Sequence, residues 1–206
     1  MDGRWAFWTR KIYWRKGLSK LSAKALRARA KKIRLFAMDV DGVLTEGSII
    51  LLASGEEIKF WNVRDRIGFF MLKKFGKRFC LAWITGRKSK QVADRAKEVG
   101  VVRLYQHSEN KGAALESTME ELKVTPEETL FIGDDLVDLP ALRRSGLAVC
   151  PSDAHPAIKK VCHWVTRLPG GKGVFREVVD FVLESQGLMK PLLEMYENPD
   201  QRQTLV

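Results

Sequence analysis

A chain of 206 residues with a formal net charge of +11 has room for one ordinary domain and its core. Its basicity is local: residues 1–34 hold twelve Lys or Arg against the single acid Asp2, while residues 35–206 hold twenty-four charges of each sign. The body is therefore not a basic nucleic-acid binder, and the absence of any run of about 18 apolar residues excludes a transmembrane helix. Cys80, Cys150 and Cys162 are odd in number and lack C-x-x-C spacing, so buried thiols in a reducing compartment are expected rather than disulfides or zinc. The amino terminus has no uninterrupted apolar segment of the secretory kind, which points to a cytoplasmic protein.

Residues 1–32 read as a basic, aromatic arm. Trp5, Trp8, Ile12, Leu18, Leu21 and Leu26 recur at roughly helical spacing among Lys and Arg, and residues 17–19 divide two short helices. The plainest account is a helix packed on its own body or on a sister subunit. A segment lying on an anionic membrane surface fits the same pattern and would make the protein peripheral to the inner membrane. Phosphate contact or an organellar transit peptide are weaker alternatives.

The next stretch organises the rest. Ile33, Leu35, Phe36 and Met38 form an apolar run of the kind buried on both faces of a parallel sheet, and it ends in Asp39, Asp41 and Gly42. Carboxylates at the carboxyl end of such a strand sit where open α/β sheets bind ligands. Two like charges side by side call for a cation, and Mg2+ is the natural oxygen-liganded ion.

Residues 47–61 read as a hairpin, with strands at 48–52 and 57–61 and turn residues at 53–56. Helices are expected at 62–76, 88–100, 110–123, 138–145 and 154–161, and from about 174 to 186. Strands are expected at 78–86, 101–105, 129–133, 147–150 and 163–166. This alternation implies right-handed βαβ units in a Rossmann-like parallel sheet with helices on both faces. From Gly187 the tail is polar, contains Pro191 and Pro199, and is expected to be loose. The chain thus divides into the arm at 1–32, an α/β body at 33–187 and a tail at 188–206.

Three later strands also end in polar residues, at Thr85 to Arg87, at Gln106 to Lys111, and at Gly133 to Asp135. Strand ends of one parallel sheet share one rim, so Asp39, Asp41, Thr85, Lys111 and Asp134 are expected to converge. Alone, Thr85 reads as a turn residue and Lys111 as a solvated lysine at a helix start. Together they supply an oxygen cage for a cation, a hydroxyl for a phosphate oxygen and a neutralising ammonium, the needs of phosphoryl transfer.

These motifs, DxDGVLT at 39–45, Thr85, Lys111 and GDDxxD at 133–138, resemble the haloacid dehalogenase superfamily of phosphohydrolases. The resemblance implies that Asp39 is the nucleophile and that Asp41 is the general acid and base. It implies Mg2+ ligation by Asp39, the Asp41 main-chain carbonyl and Asp134, with Thr85 and Lys111 gripping the phosphoryl group. Asp138 either orients Lys111 or caps the helix after it. Asp135 reads equally as a residue behind the metal ligands or as a surface charge. The segments between the motifs leave no room for a cap domain, only for the projecting hairpin, so subunit packing is the expected means of closing the site.

Over about residues 25–187 the chain further resembles the 3-deoxy-D-manno-octulosonate 8-phosphate phosphatases, which are capless tetramers. The matching stretches include 55–59, 62–65, 84–88, 104–106, 153–156 and 165–177. A phosphorylated sugar acid, hydrolysed in lipopolysaccharide precursor synthesis, is then the implied substrate, with Asn62, Arg64, Asp65, Arg87 and Arg95 touching it. Arg66 and Phe70 depart from that family's pattern. Either Arg66 replaces a missing arginine one turn along the helix, or the substrate is another acidic sugar phosphate, such as a sialic-acid-type 9-phosphate. A reading from another class is an inactive scaffold whose arm binds membrane or nucleic acid, which the intact Asp39 and Asp41 pair disfavours.

Overall fold

The computed structural model describes residues 21–198. Six parallel strands make the main sheet: β1 (Leu35–Met38), β4 (Cys80–Ile84), β5 (Arg103–Tyr105), β6 (Thr129–Ile132), β7 (Leu147–Cys150) and β8 (Trp164–Val165). Their order is β5-β4-β1-β6-β7-β8, so β1 lies inside the sheet with β4 on one side and β6 on the other. All four residues of β1 are buried, as its unbroken apolar composition requires. Leu35 and Ala37 face one core and Phe36 and Met38 the other, following the two-residue period of a strand.

Helices cover both faces. α1 (Ala23–Ala30), α2 (Val63–Lys73), α3 (Lys90–Val99) and α7 (Val174–Ser185) bury their apolar residues in the larger core. α4 (Lys111–Leu122), α5 (Leu139–Arg144) and α6 (Pro156–Val161) cover the other face. The larger core is aromatic: Phe69 of α2 stacks on Phe175 of α7 with ring centres 4.0 Å apart, and meets Trp83 of β4 at 5.7 Å. Such pairs contribute about 0.5–1.5 kcal/mol each beyond their burial, and they fix α2 against the sheet. None of the three cysteines forms a disulfide.

The hairpin is present as β2 (Ile50–Leu51) and β3 (Glu57–Ile58), shorter than the sequence predicts. Phe60 and Trp61 leave the ladder, and Trp61 reaches back to stack on Trp83 at 5.9 Å. Between Asp41 and Thr85 lie only this hairpin, α2, the 3-10 turn Gly76–Arg78 and β4, and between Lys111 and Asp134 only α4, the 3-10 turn Pro126–Glu128 and β6, so neither span holds a cap.

At each flank of the body the described residues add a helix. Residues 23–30, placed in the arm on charge, form α1, with Leu26 and Ala30 buried in the larger core. Ser22 caps its start through the Ala25 amide, and the Arg27 guanidinium lies over the Phe181 ring of α7. Residues 1–20 of the arm, including Trp5, Trp8 and Trp14, lie outside the described residues. The tail is not loose over its first part: α8 (Met189–Glu197) is helical and buries Leu192. Pro191 is compatible because it falls in the first turn, where the amide it lacks has no intrahelical partner. Among the described residues, no helix is long and apolar enough to cross a membrane.

Candidate active site

Asp39 continues β1 by one residue, and its amide still donates to the Ile132 carbonyl at 2.9 Å. Met38 pairs with Trp83 and with Ile132, so extending the register sets Thr85 and Asp134 level with Val40. The sheet thus carries Asp39, Thr85 and Asp134 to one rim from three adjacent strands. Lys111 opens α4 with Asn110 as its cap, and its side chain is only 2 % exposed. Its Nζ lies 2.8 Å from Asp39 Oδ2 and 2.7 Å from Asp138 Oδ1.

Oxygens of Asp39, Asp134 and Asp138 lie within 4.8 Å of one another. Asp138 has no oxygen to spare: Oδ1 takes Lys111, and Oδ2 accepts from the amides of Asp134 at 2.9 Å and Asp135 at 3.3 Å. It therefore orients Lys111 and folds the Asp134 loop at once. Gly133 permits this, because a Cβ there would stand 2.5 Å from the Asp138 Cβ. The Asp135 side chain caps the 3-10 turn Leu136–Asp138 through the Leu136 amide. Asp134 Oδ1, in contrast, is buried with no partner among the described residues.

Burial, and then the charge of Asp138, lift the pKa of Asp39 from 3.8 to about 7. Burial and the charges of Asp138 and Asp39 lift that of Asp134 to about 8. Burial alone would lower the Lys111 pKa, but Asp39 and Asp138 outweigh it and hold the ammonium above its usual value. Crowded carboxylates with an orphaned buried oxygen have the donor chemistry for a hard divalent cation. The backbone makes room as well: Gly42 has φ +89, and a Cβ there would fall 2.1 Å from Asp134 Oδ2.

Asp41 follows Asp39 by two residues, in the turn after β1. Its Oδ1 accepts from Lys59 Nζ at 2.5 Å and Thr45 Oγ1 at 3.3 Å, and its Oδ2 is buried without a partner among the described residues. The Lys59 side chain is fully buried, and its Nζ also meets Glu57 Oε1 at 2.6 Å. Glu57 Oε2 in turn accepts from Arg87 at 3.1 Å. The loop holding Asp41 is braced from behind, where the Gly171 amide donates to the Val43 carbonyl at 3.0 Å.

A family model described as haloacid dehalogenase-like hydrolase matches residues 79–178. The 3-deoxy-D-manno-octulosonate 8-phosphate phosphatase KdsC of Escherichia coli is 43% identical over 160 residues, covering 78% of this chain and 84% of the relative. The chain belongs to the haloacid dehalogenase-like hydrolases. It is a phosphatase acting on phosphoric monoesters, of the KdsC-like kind. The solved 8-phosphate phosphatase of Yersinia pestis superposes on this phosphatase with a TM-score of 0.79 at 38% identity, covering 85% of this chain and 95% of the other. The Moraxella catarrhalis enzyme, solved with a magnesium ion, a phosphate ion and a KDO molecule, gives 0.81 at 35% identity, covering 85% and 99%.

The candidate sugar-acid residues of the phosphatase divide on inspection. Arg64, on the first turn of α2, is exposed and has no acidic partner among the described residues. Arg87 joins the site through Glu57 and Lys59. Asn62 is committed elsewhere: its oxygen caps α2 through the Arg64 amide, and its nitrogen donates to the Gly171 carbonyl at 2.9 Å. Asp65 turns to the start of α7, where Oδ1 accepts from the Arg176 amide at 2.8 Å, and burial lifts its pKa to about 7. Asp65 thus caps the start of α7. Arg66 pairs with Glu98 of α3 at 2.8 Å while stacking on Phe70, and Arg95 shares Glu98 at 2.5 Å beside Trp61. The two departures from the family pattern therefore satisfy each other on the flank between α2 and α3.

Sequence reading of the phosphatase missed Glu57 and Lys59 as site residues. The available signal was their spacing of two in a strand, which puts both charges on one face of the hairpin. His107 is exposed, and the His155 ring caps α6 through the Ala157 amide while its own amide donates to the Asp134 carbonyl at 2.9 Å.

Proposed function

We propose that this phosphatase releases inorganic phosphate from 3-deoxy-D-manno-octulosonate 8-phosphate, an intermediate of lipopolysaccharide precursor synthesis. The observation carrying the reading is Lys111, held 2.8 Å from Asp39 and 2.7 Å from Asp138 beside the buried Asp134, in a chain 43% identical to a phosphatase of that name. Asp39 attacks phosphorus, and the bond to the sugar oxygen breaks as Asp41 delivers a proton to that oxygen. Asp41 then takes a proton from water, whose oxygen attacks the phosphoryl group on Asp39, and phosphate leaves with the carboxylate restored. Thr85 and Lys111 hold the phosphoryl oxygens through both steps, and Asp138 keeps the ammonium aimed at them. Asp39, the Asp41 main-chain carbonyl and Asp134 are the residues that would hold Mg2+, which supplies charge neutralisation on the transferring group when bound. Arg64 and Arg87 supply guanidinium groups for the sugar carboxylate. Arg66 and Arg95 would first have to leave Glu98.

The proposed assembly is a homotetramer built on the hairpin. Leu51 (64 % exposed), Phe60 (68 %) and Val63 (69 %), with Ile49, Ile50 and Leu52, form an apolar surface that a second copy would cover. Nucleic acid is not among the proposed partners, since the body is electrically balanced.

A substrate panel tests the reading. Phosphate release is measured with the octulosonate 8-phosphate, a sialic-acid-type 9-phosphate and glucose 6-phosphate, each with Mg2+ and with chelator. The expected result is a kcat/KM at least tenfold higher for the octulosonate ester and no turnover with chelator. A preference for the 9-phosphate would overturn the substrate, and release from none would overturn the function.

A further inference from the structure

We infer that Lys59 is the positioning residue for Asp41, which makes the projecting hairpin part of the catalytic apparatus. The inference rests on the phosphatase reading above and on Asp41 as the group that protonates the leaving oxygen.

A buried ammonium is costly unless anions surround it. The Lys59 side chain is wholly buried, and the two groups on its Nζ are Asp41 Oδ1 at 2.5 Å and Glu57 Oε1 at 2.6 Å. Glu57 is held by Arg87 on the far side at 3.1 Å, and the pair of cations draws its pKa down against the opposing effect of burial. A chain of four charges therefore runs Arg87, Glu57, Lys59, Asp41. Its origin is the loop after β4, and its end is the residue opposite the nucleophile. The other Asp41 oxygen, Oδ2, is buried without a partner among the described residues, which leaves it available to a reacting group while Oδ1 is anchored.

The grip matters because Asp41 has little else to fix its rotamer. Thr45 Oγ1 lies at 3.3 Å, longer than a strong hydroxyl bond to a carboxylate. Without Lys59, the carboxylates of Asp41 and Glu57 would face each other across an uncompensated space. Asp41 would then swing away, and the proton would no longer be delivered in line with the breaking bond. Lys59 itself touches neither phosphorus nor the departing oxygen in this account.

The test is a series of ring-substituted phenyl phosphates that differ in leaving-group acidity and hardly in size, assayed with parent, Lys59→Met, Lys59→Arg and Glu57→Gln. For an ester whose alcohol departs readily as the anion, proton delivery matters little; for a poor leaving group it decides the rate. In Lys59→Met, kcat/KM should fall less than threefold for p-nitrophenyl phosphate and at least thirtyfold for phenyl phosphate. Lys59→Arg should recover most of the loss, and Glu57→Gln should show the same pattern more weakly. Melting temperatures and circular dichroism record whether each variant folds. A uniform loss across the series, or a rise in KM alone, would overturn the inference by making Lys59 a structural or substrate-contacting group. A parent inactive toward the aryl esters and the octulosonate 8-phosphate alike would instead remove the proposed function, so the two failures are distinct.

Discussion

Asp65→Asn separates a structural carboxylate from a catalytic one, and the sign of its effect follows from the burial. Asp65 is 3 % exposed, and its pKa stands at about 7 against an ordinary 3.8. Below pH 3.8 the folded and unfolded chains both hold the proton, and the residue costs nothing. Between 3.8 and 7 the unfolded chain gives up its proton while the folded one keeps it, so stability falls as pH rises. Above 7 the full penalty is present, about 4 kcal/mol from 1.36 kcal/mol for each pH unit of that interval. Asn keeps the acceptor that caps α7 and cannot ionise, so the variant loses this pH dependence. The burial of an amide nitrogen in place of Oδ2 adds a cost that does not vary with pH. The stability difference between variant and parent, from urea unfolding, should therefore move in the variant's favour by about 2–3 kcal/mol between pH 5 and pH 8. Phosphatase kcat/KM should stay within about twofold of the parent. A difference that is the same at both pH values, or a large loss of kcat/KM, would refute the reasoning.

Gly42→Ala should cut kcat by about a hundredfold or more, since its Cβ would fall 2.1 Å from Asp134 Oδ2 at a φ of +89; an active variant would show that the loop can yield. Leu51→Glu with Phe60→Glu should convert the proposed tetramer to smaller species by light scattering, and an unchanged mass would move the proposed interface off the hairpin. Deletion of residues 1–20 should leave kcat/KM unchanged but weaken sedimentation with anionic vesicles. Undiminished sedimentation would remove the arm from any membrane contact.

Legibility followed how local the physical cause was. β1 and its carboxylates could be read because a strand buried on both faces must be apolar throughout, so its polar end stands out. Thr85, Lys111 and Asp134 became legible once parallel strands were known to end on one rim. Asp138 reads either way in the sequence; one of its oxygens orients Lys111, while the other accepts from the Asp134 and Asp135 amides before it and makes no cap bond to the helix that follows, which only the separate hydrogen bonds reveal. Asp65 and Asn62 are ambiguous in the sequence because a polar residue at a helix start has the same signature whether it faces a ligand or a neighbouring backbone. Their partners, Arg176 and Gly171, lie more than 100 residues away along the chain. Lys59 was hidden in a hairpin whose apolar residues are the exposed ones, the reverse of the usual pattern. The helical start of the tail was masked by Pro191, a residue that usually ends helices but is harmless in their first turn.

The central claim is that Asp39 carries the phosphoryl group during turnover. Rapid acid quench of the parent enzyme with substrate and Mg2+, followed by peptide mapping, should find phosphate on Asp39. Asp39→Asn should fold with the same circular dichroism spectrum and release no phosphate. Turnover by Asp39→Asn at a substantial fraction of the parent rate would contradict the account.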